Sequence, residues 1–320
     1  MSSTDPKALL PDSLAARVST LTIKEGRAIA IVDAAGLGQQ ERDDIERAIT
    51  DILGQREEVS ETRVVMTAER TQRRIIAVGS GKGGVGKSTL TANLAIALAR
   101  RGRKVGLVDA DIYGPSQPVI LGNQGSKPVA RDKKLEPVDS PVGIPVLSMG
   151  HLVEPGRALA WRGPMAGNAL AQLIDAHWGD VDTLLVDLPP GTGDVQLTML
   201  QRYKPMGAVL VSTPQDLALI DAARAGQLFD QAEVPVIGLV ENMAGYACPH
   251  CGEVSDPFGR GGVETAAGRL DLPFLGRIPL DLAIREGSDR GQPPACGEDA
   301  LAAPFHDIAA KVDAWIRAQG

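Results

Sequence analysis

Apolar and polar positions change their rhythm along this chain near residue 70. Before it, positions 21–32 alternate between apolar and polar residues, and Glu25-Gly26 interrupts the alternation as a hairpin turn would. Ile45, Ile49 and Ile52 then recur at helical spacing, which predicts a helix over 41–53, and 59–67 reads as a further strand. This β-β-α-β order describes a small α+β module over residues 1–70, with the basic stretch 70–74 as a solvated linker. From residue 75 onward, short apolar runs rich in β-branched residues are separated by helical patterns. The runs at 75–78, 105–109, 146–148, 183–187, 208–212, 236–241 and 274–277 predict strands, and 163–177 and 218–231 predict helices. Such alternation predicts an α/β domain over 71–320, built on a doubly wound, mostly parallel sheet.

Ligands of such sheets bind outside the carboxyl ends of the strands, so the segments just after strands carry the chemistry. After the first of them comes Gly81-Lys82-Gly83-Gly84-Val85-Gly86-Lys87-Ser88-Thr89, which contains the pattern G-x-x-x-x-G-K-[ST] of a phosphate-binding loop. The apolar strand segment before it and the helical spacing of Leu90, Leu94, Ala97 and Leu98 after it supply the strand–loop–helix context. A chance glycine-rich turn would not bring both flanks. Glycines let backbone N–H groups wrap a phosphate, and the helix N-terminus adds partial positive charge. Lys87 would reach the β- and γ-phosphates, and the Ser88 hydroxyl would hold Mg²⁺. Lys82 is a second lysine whose own phosphate positions are already served, so it is either free to serve a different nucleotide or simply solvated.

Two strands end in carboxylates. Asp109 and Asp111 close one, and their i, i+2 spacing places both on the same side while the strand continues. Asp187 closes another and fits the Walker B role of holding Mg²⁺ directly or through water. Either could instead cap the next helix. After Asp187, Pro189-Pro190-Gly191-Thr192-Gly193 reads as a switch loop whose Gly191 and Gly193 allow unusual backbone geometry.

The 320 residues carry a net charge of −7, which argues against nucleic acid or an anionic membrane as the main partner. No apolar run reaches the roughly 20 residues of a membrane span, and the first residues lack the basic and apolar regions of a secretory signal. A cytoplasmic location is the expectation. Three cysteines are too few for a disulfide framework. Cys248 and Cys251 stand in Cys-Pro-His-Cys, readable as a redox dithiol, half a zinc site or half a cluster site. One chain supplies two thiolates, while a two-fold dimer supplies four, which suits an iron–sulfur cluster or a zinc ion.

The loop resembles that of the deviant phosphate-loop ATPases, the class of MinD, ParA and the nitrogenase iron protein. Over about residues 70–320 the chain resembles more narrowly the Mrp-type (ApbC- and Nbp-type) iron–sulfur cluster carrier ATPases. The resemblance rests on G-K-G-G-V-G-K-S-T, D-A-D-I-Y-G-P-S, D-L-P-P-G-T-G-D and E-N-M followed by C-P-H-C-G. It implies an ATP-binding, slowly hydrolysing Mg²⁺-dependent homodimer. A bridging 4Fe–4S cluster on Cys248 and Cys251 would be delivered to apoproteins. It further implies that Lys82 crosses the dimer interface to the partner's ATP and that Asp111 polarises the attacking water, with Asp109 helping at the metal. Asn242 would read adenine and Pro279-Leu280-Asp281 would supply backbone contacts to the base, although Asn242 also suits a turn. The N-terminal module resembles the small α+β domain often fused to bacterial carriers, but it has no cysteine. Cys296 matches no ligand position. The alternatives are a ParA- or MinD-like positioning ATPase and a zinc-bridged metallochaperone dimer. The first wants a basic surface helix, and the amphipathic segment 305–316 carries Asp307, Asp313 and Lys311 instead.

Overall fold

The computed structural model describes residues 6–319 apart from 25, 35–36, 38, 57, 68–72, 113, 153–163, 192 and 216–225. Glu25 of the hairpin turn, residues 70–72 of the linker, Gly163 and residues 218–225 of an expected helix lie outside the described residues. The chain divides into two compact units, Met1–Gln72 and Arg73–Gly320.

In the first unit, β1 (Val18–Lys24) pairs antiparallel with β2 (Arg27–Asp33), and β3 (Glu61–Thr67) pairs parallel with β2 on its other edge. The parallel return requires a crossover, and α1 (Gln39–Gly54) supplies it. Ala28, Ala30 and Val32 alternate inward from β2, where Ile49 and Leu53 of α1 meet them, all fully buried. Ile45 and Ile52 sit half-buried at the edge of that core.

The second unit is a seven-stranded sheet in which every pairing is parallel. Its strands are β4 (Arg74–Gly79), β5 (Val105–Asp109), β6 (Val146–Ser148), β7 (Thr183–Asp187), β8 (Gly207–Ser212), β9 (Val236–Asn242) and, after a small hairpin, β12 (Phe274–Ile278). Across the sheet they run β12-β9-β8-β4-β7-β5-β6. Arg74, at the junction of linker and strand, is the first residue of β4. Successive strand residues point to opposite faces, so the apolar runs feed two cores. Ile76, Val78, Leu107, Leu185, Val209 and Val211 pack with Leu90 and Leu94 of α2 (Lys87–Arg100) and with Phe305 and Ile308 of the C-terminal helix, Ala303–Ala318. Ala77, Val108, Leu184, Val186, Ala208 and Leu210 pack on the other face with Leu170, Leu173 and Ile174 of the helix Pro164–Ile174. That helix is shorter than the expected 163–177.

The C-terminal helix spends its apolar face on the first of these cores. Asp313 of this helix turns inward with its charge paired. It is 1% exposed and accepts hydrogen bonds from Arg101 and Arg103 at the end of α2, with Arg317 also in ion-pair range. Among the described residues no helix is long and apolar enough to cross a membrane.

Candidate functional site

Three strand ends in the middle of the sheet converge on the glycine-rich loop. β7 lies between β4 and β5, so Asp187 stands opposite Val78 on one side and Asp109 on the other. The loop itself turns on Gly84 and Gly86, whose φ angles of 78° and 83° lie in the left-handed region that glycine adopts freely. Gly86 has a second reason to lack a side chain, because a Cβ there would lie 2.0 Å from Asn242 Nδ2. That nitrogen donates to the Val85 carbonyl at 2.8 Å, and Val85 itself is buried.

Lys87 opens α2 with its side chain 6% exposed, folded back onto carboxylates. Its Nζ donates to Asp187 Oδ1 at 2.5 Å and lies 3.5 Å from Ser88 Oγ and 3.9 Å from Asp111 Oδ2. Asp187 also accepts from Thr91 Oγ1 at 3.3 Å and from Gln117 Nε2 at 2.8 Å. The same Gln117 amide donates to the Ser88 carbonyl at 3.0 Å. Asp109 is equally buried. It accepts from Ser148 Oγ at 2.9 Å and from the amides of Gln117 and Asp111 at 3.1 and 3.2 Å. Burial, and next the neighbouring Asp187 charge, push the Asp109 carboxyl up to about 7.

The expectation that Asp109 and Asp111 share a continuing strand does not hold. β5 stops at Asp109, because the Asp109 carboxylate takes the Asp111 amide and turns the chain. Asp111 nevertheless faces Lys87, and its Oδ1 accepts from the Gly114 amide at 3.1 Å. In the switch segment Gly191 has φ 86° and donates its N–H to Ser80 O at 3.1 Å, joining it to the end of β4. Gly193 departs from expectation: at φ −85° it is an ordinary helix N-cap, and Thr192 lies outside the described residues. Lys82 donates to Gln215 Oε1 of the same chain at 3.2 Å.

A cavity of about 600 Å³ opens over this centre. It is lined by Lys82, Gly83, Lys87, Ser88, Asp111 and Asn242 and extends past Pro279, Leu280 and Asp281 to the following helix, Leu282–Asp289. Asn242 is the last residue of β9, and the left-handed turn position falls to Met243 with φ 60°. A slightly larger groove of about 680 Å³ between the end of α2 and residues 290–296 holds Cys296 and none of the motif residues.

Immediately beyond Asn242 the chain forms a small hairpin, β10 (Tyr246–Ala247) and β11 (Val254–Ser255), with Cys248 and Cys251 in its turn. Cys248 N–H donates to Glu253 O at 2.9 Å, and Gly252 N–H to Cys248 O at 2.8 Å. The Cys251 and His250 amides and the Cys251 thiol hydrogen-bond to the Cys248 sulfur and pull its pKa below the ordinary thiol value. Cys251 is exposed and Cys248 half-buried. Among the described residues no group of three or more His, Cys, Asp or Glu side chains is placed to hold a metal ion. A single chain therefore offers a pair of thiols here. Cys296 lies in a separate turn, where burial raises its pKa.

Motif reading names the loop and the acids, but it missed Gln117, Ser148, Thr91 and Gln215. Each acts through a partner far away in sequence, and no periodicity signals that.

The sheet order and the loop at the end of β4 define a phosphate-loop NTPase of the MinD and ParA type. The septum site-determining protein MinD complexed with Mg-ADP from Pyrococcus horikoshii shares the fold, with a TM-score of 0.57 at 27% identity over 78% of this chain and 99% of that one. A nucleotide-binding protein in complex with ADP from Archaeoglobus fulgidus, in which cobalt was found, has a TM-score of 0.61 at 42% identity over 68% of this chain and 86% of that one. The family model of the ParA group described as NUBPL iron-transfer P-loop NTPase matches residues 71–313, and this chain belongs to that family. Its relatives include an iron-sulfur cluster carrier protein of Escherichia coli K12, 46% identical over 78% of this chain and 68% of the relative. Another is an iron-sulfur protein required for NADH dehydrogenase, mitochondrial, of Arabidopsis thaliana, 52% identical over 68% and 70%.

Proposed function

We propose that the chain is an ATP-binding, slowly hydrolysing homodimer that carries a 4Fe–4S cluster between two copies of its Cys248–Cys251 hairpin and passes it to apoproteins. The observation that carries this reading is the short path from nucleotide loop to thiols. Asn242 holds the Val85 carbonyl, and the hairpin begins within a few residues of it on the same strand exit. The family and the ADP-bound neighbours support the nucleotide, and the thiol pair supports half a cluster-binding shell per subunit.

Chemically, the site needs to position and neutralise more than to react. Lys87 leaves Asp187 for the β- and γ-phosphates, while the loop amides and the helix N-terminus hold the rest of the triphosphate. The Ser88 hydroxyl and the Asp187 carboxylate are hard oxygen donors of the kind Mg²⁺ takes, and they lie together at Lys87. That ion would neutralise phosphate charge. Asp111, at the cavity wall, orients and polarises the attacking water, with Asp109 behind it. Lys82 would exchange Gln215 for the partner's nucleotide. Asn242 and the Pro279–Asp281 backbone would receive the base. A cytoplasmic location completes the proposal, and the cysteine-free N-terminal module is given no part in holding the cluster.

Anaerobic reconstitution followed by iron and sulfide analysis tests it. About four irons and about four sulfides per dimer are expected. Colourless protein holding one zinc would favour the metallochaperone alternative and defeat this reading. The helix Ala303–Ala318 buries Phe305, Ile308, Val312 and Ile316 in the core, so its apolar face is not the surface that the positioning-ATPase alternative would use.

A further inference from the structure

β9 ends in two buried polar residues whose side chains leave the strand in opposite directions. Asn242 reaches the nucleotide loop through Val85 O. Glu241, fully buried, reaches the far side of the cysteine hairpin. Its Oε1 accepts from the Gly261 amide at 3.1 Å and from Arg277 Nε at 2.9 Å, and its Oε2 accepts from the Val263 amide at 2.9 Å. These amides open the helix Gly262–Arg269, so the carboxylate satisfies orphan donors at a positive helix end. Arg277 in turn pairs with Glu264 and stacks on Phe274. The buried charge is thus paired and hydrogen-bonded on both oxygens, as burial demands.

Everything between these two grips is the hairpin and its straps, residues 243–260. The entry strap turns on Met243 and Gly245, both in the left-handed region, and is tied to β12 by Ala244 N–H to Ile278 O at 3.0 Å. The exit strap ends on Glu241. One peptide bond therefore joins the residue that touches the nucleotide loop to the residue that fixes the return of the hairpin.

We propose that Glu241 is a positioning residue, setting where Cys248 and Cys251 stand relative to the nucleotide loop and transmitting nucleotide occupancy to them. This rests on the nucleotide and thiolate sites proposed above. A shift of Val85 on phosphate binding moves Asn242, and the rigid strand end carries Glu241 and the Gly261–Val263 amides with it. A purely structural Glu241 would affect stability alone, whereas a positioning Glu241 sets the coupling between two ligands, which is reciprocal.

The test uses the full chain under anaerobic conditions with cobalt(II) as the thiolate probe, read by its sulfur-to-metal absorption, with and without MgADP. Wild type is expected to show a shift of about fivefold or more in cobalt half-saturation when MgADP is added. Glu241→Gln keeps the shape of the side chain but not the charge that holds Arg277 and both amides. It should bind a fluorescent ADP analogue within about twofold of wild type while its cobalt shift falls below about twofold. Arg277→Leu, at a side chain 36% exposed, provides a second variant that leaves the two amides on Glu241 in place, and it should reduce the shift in the same direction once its melting curve shows that it is folded. Retention of the wild-type shift in either folded variant overturns the proposal, as does a wild type that binds both ligands without any shift. Failure of the wild type to bind nucleotide, or a cobalt signal unaltered by Cys251→Ala, overturns it together with the reading of the sites.

Discussion

Lys87 Nζ sits 2.5 Å from Asp187 Oδ1, so the two charged groups expected to serve the nucleotide and its metal neutralise each other in the free protein. Both are buried, and a buried pair broken on one side leaves the other charge uncompensated. Replacing Lys87 by Ala removes the only lysine of the loop that faces inward and strands Asp187. Nucleotide binding should fall to background in a fluorescent-analogue titration, while reconstituted cluster content stays near the wild-type value. Hydrolysis at the wild-type rate would show that phosphate is bound elsewhere.

Gly86 gives a sharper test of the loop geometry. An alanine there must adopt φ near 83° and place its Cβ against the Asn242 amide. Gly86→Ala should lower stability by about 1–3 kcal/mol and weaken nucleotide binding by displacing Asn242 from Val85. Calorimetric melting and the nucleotide titration measure the two effects. An unchanged melting temperature would contradict the contact.

Cys251→Ala removes the exposed thiol of the hairpin and one donor to the Cys248 sulfur. Brown colour and the iron content should be lost on reconstitution, with nucleotide affinity within about twofold of cluster-free wild type, since coupling to a bound cluster is the only route by which it could change. Cys296→Ala, in its separate turn, should leave the iron content unaltered.

Lys82 donates to Gln215 within its own chain. An exposed hydrogen bond of this kind holds weakly, so a partner's phosphate could displace it. Lys82→Ala should bind nucleotide as a monomer about as well as wild type and fail to form a nucleotide-dependent dimer in sedimentation. Dimerisation at the wild-type concentration would remove Lys82 from the interface.

Asp313 carries the pH prediction. Burial opposes its charge, but Arg103, Arg317 and Arg101 outweigh that and hold its carboxyl below the usual range. A carboxylate with a depressed folded pKa contributes stability that is complete above its unfolded pKa, about 3.9. The contribution is lost as pH falls through the folded value. Asp313→Asn should therefore cost about 3 kcal/mol near pH 7, which lowers the melting temperature of a domain this size by about 6–12 °C. The gap between variant and wild type should close below about pH 4. A gap that persists in acid would mean that packing, not charge, holds the helix end.

By itself the sequence determined the elements whose causes are local. Short β-branched runs made strands β4, β5 and β7, and the left-handed glycines of 81–86 made the turn that opens α2. A strand closing on Asp187 placed that acid at the ligand end of the sheet, and the Cys-x-x-Cys spacing placed two thiols in one turn. Periodicity and turn chemistry reach only a few residues, so they are silent about which strand lies beside which. Only the tertiary structure inserted β7 between β4 and β5, and that insertion buries Asp109 beside Asp187, so that burial first and the neighbouring charge second lift its pKa. It likewise brought Gln117 to Asp187, Asn242 to Val85, Lys82 to Gln215, Glu241 to the exit of the hairpin and Asp313 to three arginines. A buried polar residue must find its partner wherever the chain happens to pass, and in a parallel sheet that place lies a whole crossover or more away.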